Sequence, residues 1–241
     1  MVASSFFSQL HSKSSQLTPY LRGYQGEVAL NAVIPQQDNQ AVIEALFSQL
    51  EQDHPEAGNA YWLTRTWSLL CWQPVYLAFI SVYQLKSVPP LASMVQYVSD
   101  NFISGYQFQR HTVTQGGVKA LIECAGRELR ALLDDYREQM ATWTRIRPGF
   151  ADHLLGDVVM SCLLNAHQSG ELDEASLRAH CQWWLEACQL PLSLANTLFH
   201  APISSEIIQI RKSCCLVYKC HGRGLCGNCP RHEDNKKRLS Q

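Results

Sequence analysis

Apolar residues recur along most of this chain at spacings of three and four, the signature of helices buried on one face. The clearest case runs from Lys119 to Trp143. There Ile122, Ala125, Leu129, Leu132, Leu133, Tyr136, Met140 and Trp143 form one stripe, opened by Gly116-Gly117 and closed by Arg147-Pro148-Gly149. A second helix is predicted over Asn39–Asp53, with Val42, Ala45, Leu46 and Leu50 on its inner face. Phe150–His167 is apolar almost all round, which predicts a central helix stopped by Ser169-Gly170. Asp173 is placed to cap the next helix, which passes Trp183-Trp184 and ends near Cys188. Ser204 is placed to cap a short helix reaching Lys212.

Trp67–Leu85 carries no charged residue and is nearly long enough to span a bilayer. Gln73-Pro74 interrupts it, so it reads as a buried helix pair broken at the proline. Strand signal is weak. Tyr106-Gln107-Phe108-Gln109 alternates after Gly105, which predicts one hairpin within 101–114. The expected fold is mainly α: a multi-helix body with at most a small β hairpin, followed by a cysteine-rich C-terminal segment packed on it. No low-complexity linker intervenes, and the division falls between 1–210 and 211–241.

Composition changes this picture in two places. Overall the chain has 20 basic and 21 acidic side chains among 241 residues. Residues 211–241, however, hold eight basic and two acidic side chains, leaving twelve basic and nineteen acidic upstream. The tail is therefore cationic and the body acidic, and an acidic body argues against a nucleic-acid partner. The second place is cysteine. The first residues lack the basic-then-apolar pattern of a secretory signal, so a cytoplasmic protein with reduced thiols is expected. Five of the ten cysteines (71, 124, 162, 181 and 188) lie in apolar periodic segments and read as small buried hydrophobes. The other five crowd into Cys214–Cys229.

That segment reads Cys214-Cys215-Leu-Val-Tyr-Lys-Cys220-His-Gly-Arg-Gly-Leu-Cys226-Gly-Asn-Cys229-Pro230. Thiolates in such numbers select zinc, copper(I) or iron–sulfur clusters. Structural zinc usually uses two spaced cysteine knuckles, and the adjacent Cys214-Cys215 has no spacer, although His221 offers a nitrogen ligand. A thioredoxin-like motif lacks its strand–helix context, and haem attachment needs a histidine where Pro230 stands. A [2Fe–2S] cluster suits two pairs of thiolates best, with each pair on one iron. Gly222-x-Gly224-x-x-Gly227 matches a dinucleotide fingerprint by letter only, since that pattern must follow a strand and open a helix in a βαβ unit, whereas this one overlaps the thiol-rich segment proposed to ligate metal. Those glycines suit a loop wrapping a cluster.

Cys-Cys-x10-Cys-x2-Cys near the C-terminus, with Tyr218 and Pro230, resembles the FhuF-type ferric-siderophore reductases. The resemblance implies a mainly helical cytoplasmic protein holding one [2Fe–2S] cluster through Cys214, Cys215, Cys226 and Cys229. It implies one-electron reduction of iron(III) in hydroxamate-type siderophores, with release of iron(II) for cellular use. Cys220 is an additional thiol that could act as spectator or substitute ligand. Lys219 and Arg223 are candidates for tuning the cluster, with Arg211 and Lys212 near them, because cations favour a reduced, more negative cluster.

No flavin or nicotinamide site is evident, so electrons are expected from an electron-donor protein, an acidic ferredoxin in particular. No integral span is expected, and peripheral contact at the inner face of a membrane stays open. The substrate pocket is not located, although Trp62, Trp67, Trp72, Trp183 and Trp184 are candidate linings. His153 and Asp157, one helical turn apart, read as a core polar pair rather than an acid–base dyad. Lys236-Lys237-Arg238 reads as a frayed end. Two alternatives stay open: an iron–sulfur sensor of iron or redox state, and a zinc-stabilised interaction module.

Overall fold

The computed structural model describes residues 2–201, 204 and 206–239. Among these described residues seven α-helices carry the fold: α1 (Val2–Leu17), α2 (Gln40–Asp53), α3 (Asn59–Phe79), α4 (Val118–Met140), α5 (Pro148–Gln168), α6 (Glu174–Ala187) and α7 (Glu233–Leu239). The bounds of α2, α4, α5 and α6 follow the apolar periodicity closely, whereas α1 and α7 are not among the expected helices. On α4 the whole expected stripe from Ile122 to Met140 is buried. On α2 the buried residues are Ile43, Leu46 and Leu50, while Ala45 faces solvent, so the inner face is turned slightly from the expected one. Asp173 caps α6 by accepting the Ser176 N–H at 2.7 Å. Gly126 lets α4 lie against α6, because a Cβ there would stand 2.4 Å from Ala187 Cβ.

Pro74 does not break its helix. α3 runs continuously through it and continues as a π-helical turn over Ile80–Gln84. Proline leaves the carbonyl four residues back without its N–H partner. That carbonyl, on Leu70, instead accepts the Gln96 side-chain amide at 3.0 Å. The long apolar stretch is thus a core helix, and among the described residues no helix is long and apolar enough to cross a membrane.

The β content exceeds one hairpin but stays small. β1 (Ala32–Val33), β3 (Met94–Ser99) and β4 (Phe102–Phe108) form an antiparallel sheet in the order β1-β3-β4. The hairpin therefore begins before the expected window. β2 (Ser87–Val88) pairs with β5 (Thr114–Gln115), and β6 (Leu198–His200) pairs with β7 (Ile207–Gln209). The last pair replaces the helix expected over 204–212. Ile207 and Ile208 are β-branched and find a partner strand in β6, which a lone short helix would lack. Ser204 bonds Glu206 rather than capping a helix; residues 202, 203 and 205 lie outside the described set.

Trp67 and Trp184 sit fully buried in the main core, where Trp184 stacks on Phe79 with ring centroids 4.6 Å apart. Cys71, Cys162, Cys181 and Cys188 are buried as expected, whereas Cys124 is half-buried. Burial raises the thiols of Cys162 and Cys188 to about 12, which makes them inert at neutral pH.

Candidate metal centre

β7 delivers the cysteine-rich segment to the helical body, and α5 fastens it there. Asp157, buried in the middle of α5, accepts the Lys212 N–H on Oδ1 at 2.7 Å and the Ser213 N–H on Oδ2 at 3.0 Å. One carboxylate thus holds the two residues immediately before Cys214. Burial pushes the Asp157 carboxyl up to about 6, against the pull of both N–H groups and of the Arg211 and Lys212 charges. His153 is not its partner. The expected His153–Asp157 pair is replaced by this link to the tail, and burial and the nearby Lys212 charge lower the His153 pKa.

Beyond Ser213 the chain takes a left-handed step at Leu216, φ +61°. Such a step costs a residue with a Cβ about 1–2 kcal/mol. It also aims consecutive N–H groups the same way, a concavity that suits anionic sulfur. Leu216 N–H donates to Cys214 Sγ at 3.4 Å, and Val217 N–H donates to Cys215. The second pair of thiols is set by a turn in which Cys229 N–H donates to the Cys226 carbonyl at 2.9 Å. The Asn235 side chain on α7 donates to the Gly227 and Cys229 carbonyls at 3.0 and 2.9 Å. The residues read as a frayed end thus belong to a helix whose start closes this turn. Lys236 pairs with Glu233 at 2.6 Å.

The four thiols meet in crossed couples. Cys214 Sγ lies 3.5 Å from Cys229 Sγ, and Cys215 Sγ lies 3.8 Å from Cys226 Sγ. With metal–thiolate bonds of about 2.3 Å, two thiolates on one tetrahedral ion stand about 3.8 Å apart. Each couple therefore has the separation of two ligands sharing a metal, and the donor set fits a two-iron cluster. The sequence grouping of neighbours, Cys214 with Cys215 and Cys226 with Cys229, is not the grouping in space.

Of the four cations expected near the thiols, Arg211 makes the contact with a sulfur, whereas Lys219 and Arg223 are exposed. Arg211 donates to Cys215 Sγ at 3.3 Å. Its buried Nε has no acceptor among the described residues, which leaves a donor for an anionic group beside that sulfur. Cys215 is half-buried, and that burial alone would raise its pKa. The Val217 N–H and Arg211 overcome this and hold the thiol below its ordinary value. Burial raises Cys226 and Cys229. Lys219 is exposed, and Arg223 is exposed at the rim of a neighbouring cavity. Arg231 lies over the Tyr218 ring at 5.3 Å.

That cavity, about 600 Å³, opens between α3, α5 and the cysteine segment. α3 contributes Tyr61, Arg65, Ser68, Trp72 and Tyr76, α5 contributes Asp157, Val158 and Ser161, and the tail contributes Arg211, Cys215, Cys220 and Arg223. Of the candidate tryptophans only Trp72 lines it. Trp67 and Trp184 are core, and Trp183 lies on another face with Lys119 5.6 Å from its ring. Trp62 packs edge-on to Phe47 and donates to the His54 carbonyl at 2.8 Å. Arg65, Tyr61 and Tyr76 are not among the linings expected from the sequence, although a signal for them was there. They recur at spacings of three and four inside an otherwise apolar helix, which is one face with a different neighbour.

Cys220 is separate again. Its buried side chain packs with Ala57 and Tyr61. Burial, and then the Cys220 thiol, push the Tyr61 hydroxyl up to about 12. Gly222 turns the loop with φ +72°, and the Gly222–Gly227 run opens no helix, so the fingerprint match has no structural counterpart. No solved structure matches this chain. Residues 211–231 match the family model described as FhuF 2Fe-2S C-terminal domain, which supports an iron–sulfur cofactor and bears out the resemblance carried by the cysteine spacing.

Proposed function

We propose that the protein reduces iron(III) held by hydroxamate-type siderophores and so releases iron(II). One observation carries this: Cys215 lines the wall of a cavity large enough for a compact chelate. The ligands would be Cys214 with Cys229 on one iron and Cys215 with Cys226 on the other. Bound there, a [2Fe–2S] cluster supplies one electron at a time.

The chain's own groups do the rest. Arg211 and the N–H groups of Leu216 and Val217 stabilise negative charge on the sulfurs. Arg65 and Arg223 can donate to the oxygens of a chelate, while Trp72 and Tyr76 cover its hydrocarbon. Hard oxygen donors hold iron(II) far less tightly than iron(III), so no nucleophile or general base is needed for release. The cationic rim of Lys212, Lys219 and Arg231 suits an acidic electron donor such as a ferredoxin.

The test is stopped-flow mixing of anaerobically reduced protein with ferrioxamine-type complexes. The visible bands of the oxidised cluster should return in a phase whose rate saturates with complex. Reoxidation no faster than in buffer discards the proposal.

Two further outcomes follow from the site. Arg211→Ala should lower the potential by roughly 60 mV, a tenfold change in a one-electron equilibrium. Arg223→Ala should move it less, because Arg223 is exposed; potentiometric titration reads both. Mild oxidation of cluster-free protein should link Cys214 to Cys229 and Cys215 to Cys226, as read by peptide mapping. A bridge between Cys214 and Cys215 would have to distort the planar peptide joining them, and finding it as the main product would refute the crossed couples.

A further inference from the structure

Cys220, left out of the sulfur couples, meets two residues from the start of α3's approach. His54, Glu56 and Cys220 bring an imidazole nitrogen, a carboxylate oxygen and a sulfur within 4.8 Å of one another. The Pro55–Ala57 turn sets His54 Nδ1 3.7 Å from Glu56 Oε1. Nitrogen and oxygen ligands on a common tetrahedral ion stand about 3.3 to 3.5 Å apart, so a small side-chain rotation closes the set. The loop is tied to this turn independently, because the His221 N–H donates to Glu56 Oε1 at 2.9 Å. The His221 ring, 89 % exposed, has Nδ1 3.8 Å from the same oxygen and can turn in as a fourth donor.

We propose that His54, Glu56 and Cys220, closed by His221, form a mononuclear site for a divalent transition metal, which takes up iron(II) as it leaves the cavity. A mixed nitrogen, oxygen and sulfur set selects iron(II) or zinc over magnesium and calcium, which take oxygen ligands. Coordination displaces the Cys220 thiol proton to solvent, with no change in oxidation state. His54 and Cys220 line the same cavity as Cys215, so an ion released there meets this site without crossing the protein. Only the origin of the ion rests on the reductase function proposed above; the site does not.

Cobalt(II) titrated anaerobically into full-length, cluster-loaded protein reports on it, with iron and sulfide content followed in parallel. A thiolate-to-cobalt charge-transfer band should appear and saturate at one equivalent. Cys220→Ser should abolish the band. His54→Ala and Glu56→Gln, both at exposed or half-buried positions, should each weaken cobalt binding about tenfold or more. All three should keep wild-type iron and sulfide. Absence of a saturable band in wild type, or an unchanged band in the variants, overturns the proposal. So does loss of the cluster in Cys220→Ser, which would make Cys220 a cluster ligand. Cobalt binding involves no ferric chelate. A protein that binds cobalt but is not reoxidised by siderophore complexes loses the reductase function and keeps this site.

Discussion

Serine at Cys214, Cys215, Cys226 or Cys229 is expected to strip the protein of its cluster, with iron and acid-labile sulfide falling to about a tenth of wild type or less. Serine at Cys220 should leave both intact. The asymmetry follows from position. The first four sulfurs stand 3.5 and 3.8 Å apart in couples, while Cys220 faces Ala57 and Tyr61. Removing one thiolate leaves an iron with three protein or sulfide ligands and exposes it to water. Metal and sulfide analysis of anaerobically purified variants, with visible spectra, checks this. Retention of the cluster in any two of the four would refute the ligand set. Zinc without sulfide in wild type would favour the structural-metal alternative.

Asp157→Asn is expected to loosen the whole cysteine segment from the body. Each carboxylate oxygen accepts one backbone N–H, from Lys212 and from Ser213. An amide can satisfy one of them and must turn its own NH₂ toward the other. A buried N–H left without an acceptor costs about 1–3 kcal/mol. In a chain of this size that lowers the melting temperature by roughly 5 °C, and cluster loss to a chelator should accelerate with it.

The pH dependence has a definite sign. Burial pushes the folded carboxyl up to about 6, above the 3.8 of an ordinary aspartate. Between those values the folded chain keeps a proton that the unfolded chain has released, so this group reduces stability as pH rises through that window. From pH 5 to pH 7 the loss is about 1 kcal/mol. Asp157→Asn lacks it, so the variant's deficit should be larger at pH 5 than at pH 7. Thermal melts at both values measure the difference. A deficit that grows with pH would contradict the raised carboxyl.

Much of the body is legible residue by residue. α4 follows from a stripe that repeats every three or four positions, and α6 from Asp173 as a cap, because these depend on neighbours within one turn. The helix through Pro74 was not legible. Its continuity depends on Gln96, on a strand that arrives later in the chain and supplies the missing donor. β7 was misjudged for the same reason, since Ile207–Gln209 is a strand only because Leu198–His200 lies beside it.

The candidate site divides likewise. By itself the sequence determined the helical body, the cationic tail and the thiol-rich segment with its cofactor class, because ligand chemistry and helical period are written in residue type and spacing. The tertiary structure alone decided which sulfurs couple, that Asp157 anchors them, and that Arg211 rather than Lys219 touches a sulfur. It also decided that Cys220 turns to His54 and Glu56. Spacing fixes how far a chain can reach. The direction in which adjacent side chains leave the backbone depends on one left-handed step at Leu216 and on groups from distant helices, and no local pattern encodes that.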